Sequence, residues 1–309
     1  MRDDVVFRTE DGTLLRGWLY RPAGAGPFPA IVMAHGFSAT KEMYLDDFAA
    51  AFAAAGCVVL VYDNRNLGDS DGTPRGHIDP RQQVDDYRDA ITHVATLDAV
   101  DAGRIGIWGS SYSGGHVLEV AAIDRRVRCV VSQVPLVSGL ENARRLIRAD
   151  HWAALRAAFD ADRAARLRGE APQMLPVVGE HEGDPCALPT ADSRAFFRRI
   201  VAERDCGWEN SVTLRSVELF TEYEPGRRIG AISPTPLLMV LARDDQLTPF
   251  DLAAAAFAEA REPKQLLVVP GGHFDAYVGD NFRCSVAAQC DWFTRHLMAG
   301  GAAETARVA

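Results

Sequence analysis

The sequence predicts an α/β fold: a mainly parallel sheet flanked by helices, with a helical segment inserted before its last strands. Three observations predict it. From residue 30 to residue 134, short apolar runs alternate with segments of helical periodicity, the pattern of a parallel sheet covered on both faces. The alternation stops at Val134-Pro135 and resumes only at Pro236. A length of 309 residues with 48% hydrophobic content is enough for one large core plus an insertion.

Residues 5–9 and 13–20 read as two strands joined by Glu10-Asp11-Gly12, whose D-G signal marks a hairpin. A loop carrying Pro22, Pro27 and Pro29 leads into a strand at 30–35. There follow a helix near 42–55, a strand at 57–62, a helix near 80–97, a strand at 104–109, a helix at 112–123 and a strand at 127–133. Between Arg144 and Arg168, Leu146, Ile147, Trp152, Leu155 and Phe159 recur at helical spacing. From Asp192 to Glu203, Phe196, Phe197, Ile200 and Val201 share one helix face. Two final strands, 236–242 and 265–270, complete the pattern. Residues 1–135 and 234–299 are thus expected to form the core, 136–233 a helical cap, and 300–309 a disordered tail.

Composition narrows the function. A net charge of −9 argues against nucleic acid or anionic membrane as a partner. Only two of the 33 basic residues are lysines, Lys41 and Lys264. The start has no apolar core of a signal peptide, and no long apolar run follows, so neither secretion nor membrane insertion is expected. The six cysteines are scattered without a C-x-x-C, and the eight histidines show no H-x-x-x-H. A cytoplasmic protein with no disulfide framework, metal or cofactor is expected. The oligomeric state stays open, with a homodimer as one option.

The chemistry is written at strand ends. Gly109-Ser110-Ser111-Tyr112-Ser113-Gly114-Gly115 lies between the apolar run ending at Trp108 and a helix opening at His116-Val117-Leu118. A serine among small residues at a strand-to-helix junction is the setting of a nucleophile elbow, whose tight turn needs small side chains two residues before and after. That logic selects Ser111, with Gly109 before it and Ser113 after it. Ser113 departs from the glycine of G-x-S-x-G but is small. A phosphate loop, the alternative, needs a lysine absent here.

A serine hydroxyl needs a base, usually histidine, and a carboxylate to orient it. The apolar run 236–242 ends in Arg243-Asp244-Asp245, and the run 265–270 ends in Gly271-Gly272-His273. Both groups stand just past the C-terminal ends of strands, the edge where open α/β sheets bind ligands. Asp245, four before Pro249, is favoured as the acid. Asp244 is the other candidate, and otherwise reads as a loop residue capping the helix that starts near Phe250. The strand at 30–34 runs into His35-Gly36-Phe37, so the Phe37 and Tyr112 N–H groups are the expected oxyanion donors, with His35 bracing the loop. The polar stretch from Tyr62 to Gly72 lacks the spaced carboxylates of a calcium loop. It reads as a structural turn in which Asp63 and Arg65 are tied into loop hydrogen bonds.

These residues resemble the α/β-hydrolase superfamily over nearly the whole chain. His35-Gly36-Phe37, Tyr62-Asp63-x-Arg65, Gly109-x-Ser111, Asp245-x-x-x-Pro249 and Gly272-His273 carry the resemblance. More narrowly, Ser111-Tyr112-Ser113-Gly114-Gly115 and Lys41-Glu42-Met43 look like the polyketide transferase or thiohydrolase group, related to S15-type peptidases and cocaine-esterase-like enzymes. The resemblance implies acyl transfer from a small-molecule ester or thioester through an acyl-enzyme, often in natural-product pathways. An amidase or peptidase with the same triad is the alternative enzyme. A non-catalytic binding protein on this scaffold is the alternative outside catalysis. Trp152, Phe196 and Phe197 are candidates to line an acyl pocket, while most aromatics of the insertion read as its own core.

Overall fold

The computed structural model describes residues 1–298, so the expectation for 300–309 lies outside the described residues. β1 (Arg2–Arg8) and β2 (Leu14–Tyr20) form the antiparallel hairpin. β3 (Phe28–Ala34), α1 (Leu45–Ala54), β4 (Val58–Tyr62), α2 (Pro80–Ala95), β5 (Val100–Ser110), α3 (Tyr112–Ile123) and β6 (Val127–Gln133) follow in strict alternation. The eight-stranded sheet has the order β1-β2-β4-β3-β5-β6-β9-β10, where β9 is Leu237–Ala242 and β10 is Lys264–Val269. β2 runs antiparallel to β4, and every pairing from β4 to β10 is parallel.

The strand sequences explain their places. β4 (VVLVY) and β9 (LLMVLA) are buried at every residue, as strands covered on both faces must be. β1 alternates exposed positions with half-buried or buried ones and sits at an edge. Two cores flank the sheet. Phe48, Phe52, Trp108 and Phe293 fill one, and Tyr62, Tyr87, Ile91 and Val117 fill the other. α2 starts cleanly because Asp79 accepts the Arg81 N–H and Pro80 stands at the first helical position.

Residues 136–233 are more broken than their periodicity predicts. The expected helix from Arg144 to Arg168 is two, α4 (Gly139–Leu146) and α5 (Trp152–Leu167), separated by extended Ile147 and Arg148 and a short 3-10 turn. No proline or glycine marks that break. A two-stranded ladder of β7 (Met174–Leu175) and β8 (Val212–Thr213), too short to show periodicity, spans the segment. α6 (Ala191–Glu203) and α7 (Leu214–Glu222) complete it. The 3-10 turn Pro225–Ala231 packs on α3 and on α8 (Phe250–Glu259). The end of the insertion therefore belongs with the helical layer of the sheet. α9 (Gly279–Phe293) closes the fold. Among the described residues, no helix is long and apolar enough to cross a membrane.

Candidate active site

β5 leaves the sheet at Ser110, and α3 begins at Tyr112. Ser111, between them, has φ 59° and ψ −117°, a strained conformation that persists only where its surroundings fix it. They do so here. The Ser111 N–H donates to the Gln133 carbonyl at 2.9 Å, and the Ser111 carbonyl accepts from the N–H groups of Leu136 (2.9 Å) and Gly115 (3.2 Å). A Cβ at Gly109 would lie 2.1 Å from the Ser113 carbonyl oxygen, so the turn closes only with glycine there. Of the three serines in the run, two are already engaged. Ser110 Oγ bonds the Tyr277 hydroxyl at 2.5 Å, and Ser113 Oγ donates to the His35 carbonyl at 2.5 Å.

His273 begins a 3-10 turn after β10, and Asp245 follows β9. His273 Nδ1 lies 2.8 Å from Asp245 Oδ2, with both side chains almost fully buried. The carboxylate makes three further bonds. Oδ1 accepts from the N–H groups of Leu247 (2.9 Å) and Thr248 (2.8 Å), and Oδ2 accepts from Thr248 Oγ1 (2.9 Å). Nδ1 is engaged by Asp245, and Nε2 makes no hydrogen bond among the described residues. His273 and Ser111 line one cavity. Asp244 is exposed. It does not cap α8, whose N-cap position is Pro249 with no side-chain bond. That expectation is corrected: the proline ends the loop before Asp244 can reach the helix.

The N–H groups of Phe37 and Tyr112 flank the same cavity, and neither donates to any acceptor among the described residues. A Cβ at Gly36 would lie 2.8 Å from Ser111 Cβ, so this loop approaches Ser111 only as glycine. His35 is wholly buried, and burial pushes its imidazole below the usual range, so it is neutral. Its Nδ1 faces the Gly36 carbonyl at 2.9 Å and its Nε2 accepts the Asn64 N–H at 3.0 Å, which braces the loop.

The polar turn after β4 supports the loop from below. Lys41 Nζ lies 2.6 Å from Glu42, 2.7 Å from Asp63 and 2.6 Å from Asp69. Those three carboxylates could otherwise hold a metal ion; a lysine ammonium already supplies the positive charge. Arg65 makes a forked bond to buried Asp86 and reaches Asp11 at 2.7 Å.

Phe196 and Phe197 line the cavity together with Phe37, Leu188, Phe220 and Phe274. Phe196 also stacks on Phe274 at 4.2 Å, and Phe197 on Trp208 at 4.7 Å, so each serves both packing and lining. Trp152 is not among the lining residues, and this expectation is corrected. The break after α4 resets the helical phase, so His151 and Leu155 face the neighbouring groove while Trp152 turns aside under the Arg156 guanidinium. Thr248, Phe220 and Leu188 were not singled out from sequence. Only Thr248 left a signal, as the residue before Pro249 in the acid-bearing loop.

The profile of the X-Pro dipeptidyl-peptidase (S15) family matches residues 11–275. The chain belongs to this S15 family. A thiohydrolase of Eupenicillium brefeldianum is 33% identical, covering 91% of this chain and 90% of that protein. A polyketide transferase, grgF, of Penicillium is 34% identical over 96% of this chain and 97% of its own. The quorum-quenching protein AidA of Acinetobacter baumannii is 33% identical, covering 94% of each chain. The crystal structure of the α/β hydrolase GrgF superposes with a TM-score of 0.83, covering 96% of this chain and 99% of that one. This S15 member thus has the α/β-hydrolase fold.

Proposed function

We propose that Ser111 is the nucleophile, His273 its general base and Asp245 the orienting acid of an acyl-transfer reaction. The enzyme acts on ester or thioester bonds as a hydrolase or acyltransferase, in keeping with relatives named thiohydrolase and polyketide transferase. The observation that carries the reading is the buried Asp245–His273 bond opening on the same cavity as the one unengaged serine of the elbow.

The reaction follows from the placement. As Ser111 Oγ attacks the carbonyl, His273 takes its proton through Nε2, and Asp245 stabilises the imidazolium at Nδ1. The carbonyl oxygen becomes an oxyanion between the free Phe37 and Tyr112 N–H groups. His273 then protonates the leaving alcohol or thiol. Water, or another acceptor activated by the same imidazole, resolves the acyl-enzyme.

The cavity favours an apolar acyl group over a dipeptide. A free peptide N-terminus carries an ammonium that needs an acceptor when buried. Apart from the two histidines, the side chains that line the cavity include no ionisable acid or base stronger than the Tyr112 and Tyr277 phenols. Burial holds both phenols above their usual range, and therefore neutral. Residues 136–233 act as the cap, contributing Leu188, Phe196, Phe197 and Phe220 to the acyl side. All six cysteines are free, which suits a reducing compartment.

The test is a panel of p-nitrophenyl esters, acyl-thioesters and X-Pro anilides on the wild-type protein and on Ser111→Ala. Ester or thioester turnover with fluorophosphonate labelling, both abolished in Ser111→Ala, is the expected result. Preferential cleavage of X-Pro anilides would overturn the substrate class.

A further inference from the structure

The cavity at Ser111 holds about 40 Å³, room for roughly three water-sized groups at 10–15 Å³ each. A long acyl chain cannot end there. Behind its wall lies a second space of about 300 Å³. Its sides come from α4, α5, α7 and the loop before α6, with Leu146, Ile147, Leu155, Leu175, Leu214 and Val217 as the apolar lining.

Three residues line both spaces: Phe37, Leu188 and Phe220. They form the partition. Phe220 stacks on Tyr112 at 5.7 Å and meets Phe37 edge-on at 5.9 Å, so it stands against both residues whose N–H groups face the oxyanion. Leu188 is buried, whereas Phe220 is only half-buried.

We infer that the groove lined by Leu146, Leu155 and Val217 is the binding site for the distal part of the substrate's own apolar acyl chain, entered past Phe220. The inference rests on the ester or thioester reading above and extends it by naming where chain length is measured. Two features select this occupant. The groove abuts the acyl side of the site, and most of the side chains lining it are apolar. Polar groups, Arg148, His151 and Asp184, occur within the lining, and Arg148 is itself paired with Asp150 at 2.7 Å. An apolar chain in this groove removes aliphatic surface from water, and each buried methylene strengthens binding about fourfold. Affinity should therefore rise with chain length until the groove is full.

The experiment compares p-nitrophenyl acetate with p-nitrophenyl octanoate on the full-length protein. Val217→Trp and, separately, Leu155→Trp place an indole in the groove from two different helices. Each should lower the octanoate-to-acetate ratio of kcat/KM at least tenfold. Phe220→Ala, which opens the partition, should raise that ratio several-fold. Melting curves run beside the kinetics confirm that each variant is folded. An unchanged ratio in folded Val217→Trp and Leu155→Trp would overturn the inference, as would equal losses on both esters. Failure of the underlying reading has a different signature: Ser111→Ala would retain acetate turnover, whatever the groove variants do.

Discussion

Ser113 Oγ donates to the carbonyl of His35, joining the helical side of the nucleophile elbow to the loop that carries the Phe37 N–H. The residue that departs from G-x-S-x-G is therefore a tie between the two halves of the proposed oxyanion site. His35 O also accepts from Asn64 Nδ2 at 3.1 Å, so the loop is held from two sides. Ser113→Ala should keep the turn, since alanine is no larger, while releasing one of the two bonds. A buried neutral hydrogen bond contributes about 1 kcal/mol net. The expected outcome is a small fall in melting temperature and a several-fold loss in kcat with KM little changed. A loss confined to KM would place Ser113 in substrate binding instead.

The two adjacent aspartates should separate cleanly. Asp245→Asn keeps the shape but offers the imidazole the wrong hydrogen-bond pattern, and kcat should fall by roughly 10⁴. Asp244 is exposed, and among the described residues its side chain makes no hydrogen bond to His273 or to α8. Asp244→Asn should change kcat less than Asp245→Asn by at least two orders of magnitude. Steady-state rates on one activated ester decide the ranking, and the reverse order would move the acid's role to Asp244.

Thr248 Oγ1 lies 2.9 Å from Asp245 Oδ2, 3.1 Å from His273 Nδ1 and 3.0 Å from the Val134 carbonyl. It is a positioning residue that fixes the carboxylate against the ring. Thr248→Val keeps the volume and removes the hydroxyl. We expect kcat to drop by about 10- to 150-fold, the rate equivalent of losing a charge-assisted hydrogen bond of roughly 1.5–3 kcal/mol. The acid limb of the kcat–pH profile should move as well, and Thr248→Ser should restore both. A purely structural role would lower the melting temperature without moving the profile.

Much of this site was legible because its chemistry stands at the ends of strongly apolar strands. β5, β9 and β10 announce themselves by composition, and Ser111, Asp245 and His273 follow each within a few residues. Trp152 failed for a physical reason. Its placement depended on helical phase carried through Ile147 and Arg148, where tertiary packing, not proline or glycine, ends the helix. Phe220 and Leu188 were invisible for a related reason: a single apolar residue on a short helix or in a loop looks like any other until the chain folds over Ser111. Periodicity reads faces of long elements well, and it reads the walls of a cavity assembled from many separate segments poorly.

The aromatics of the insertion should now divide by contact. Phe197 is buried and stacked on Trp208, whose indole N–H donates to the Ser38 carbonyl at 2.8 Å. Phe197→Ala should cost about 3–5 kcal/mol of stability and depress all esters together. Trp152, half-buried outside the cavity, should give a Trp152→Ala variant with an unchanged ranking of acyl chains. Denaturation curves and two-ester kinetics separate the cases; a chain-length effect in Trp152→Ala would return it to the pocket.

The last prediction concerns acid stability. His116 is wholly buried behind the elbow, with Nε2 2.9 Å from Gln83 Oε1 and Nδ1 3.0 Å from the Tyr223 hydroxyl. Burial, helped by nearby His35, pushes its imidazole down to about 3. In the unfolded chain the same group titrates near 6.5. Between these values the unfolded state binds a proton that the folded state refuses, so the stability present above about pH 6.5 is lost as pH falls toward 3. Each pH unit in that window removes up to about 1.4 kcal/mol for one such histidine. Burial shifts His35 in the same direction and adds to the slope. His116→Gln offers an amide to the same two partners and cannot titrate. Chemical denaturation at pH 7, 5 and 4 should show the wild-type protein losing stability faster than the variant, by about one proton's slope. Carboxylates contribute equally to both proteins and cancel in the comparison. Parallel losses in the two would mean that His116 takes up its proton while the protein stays folded.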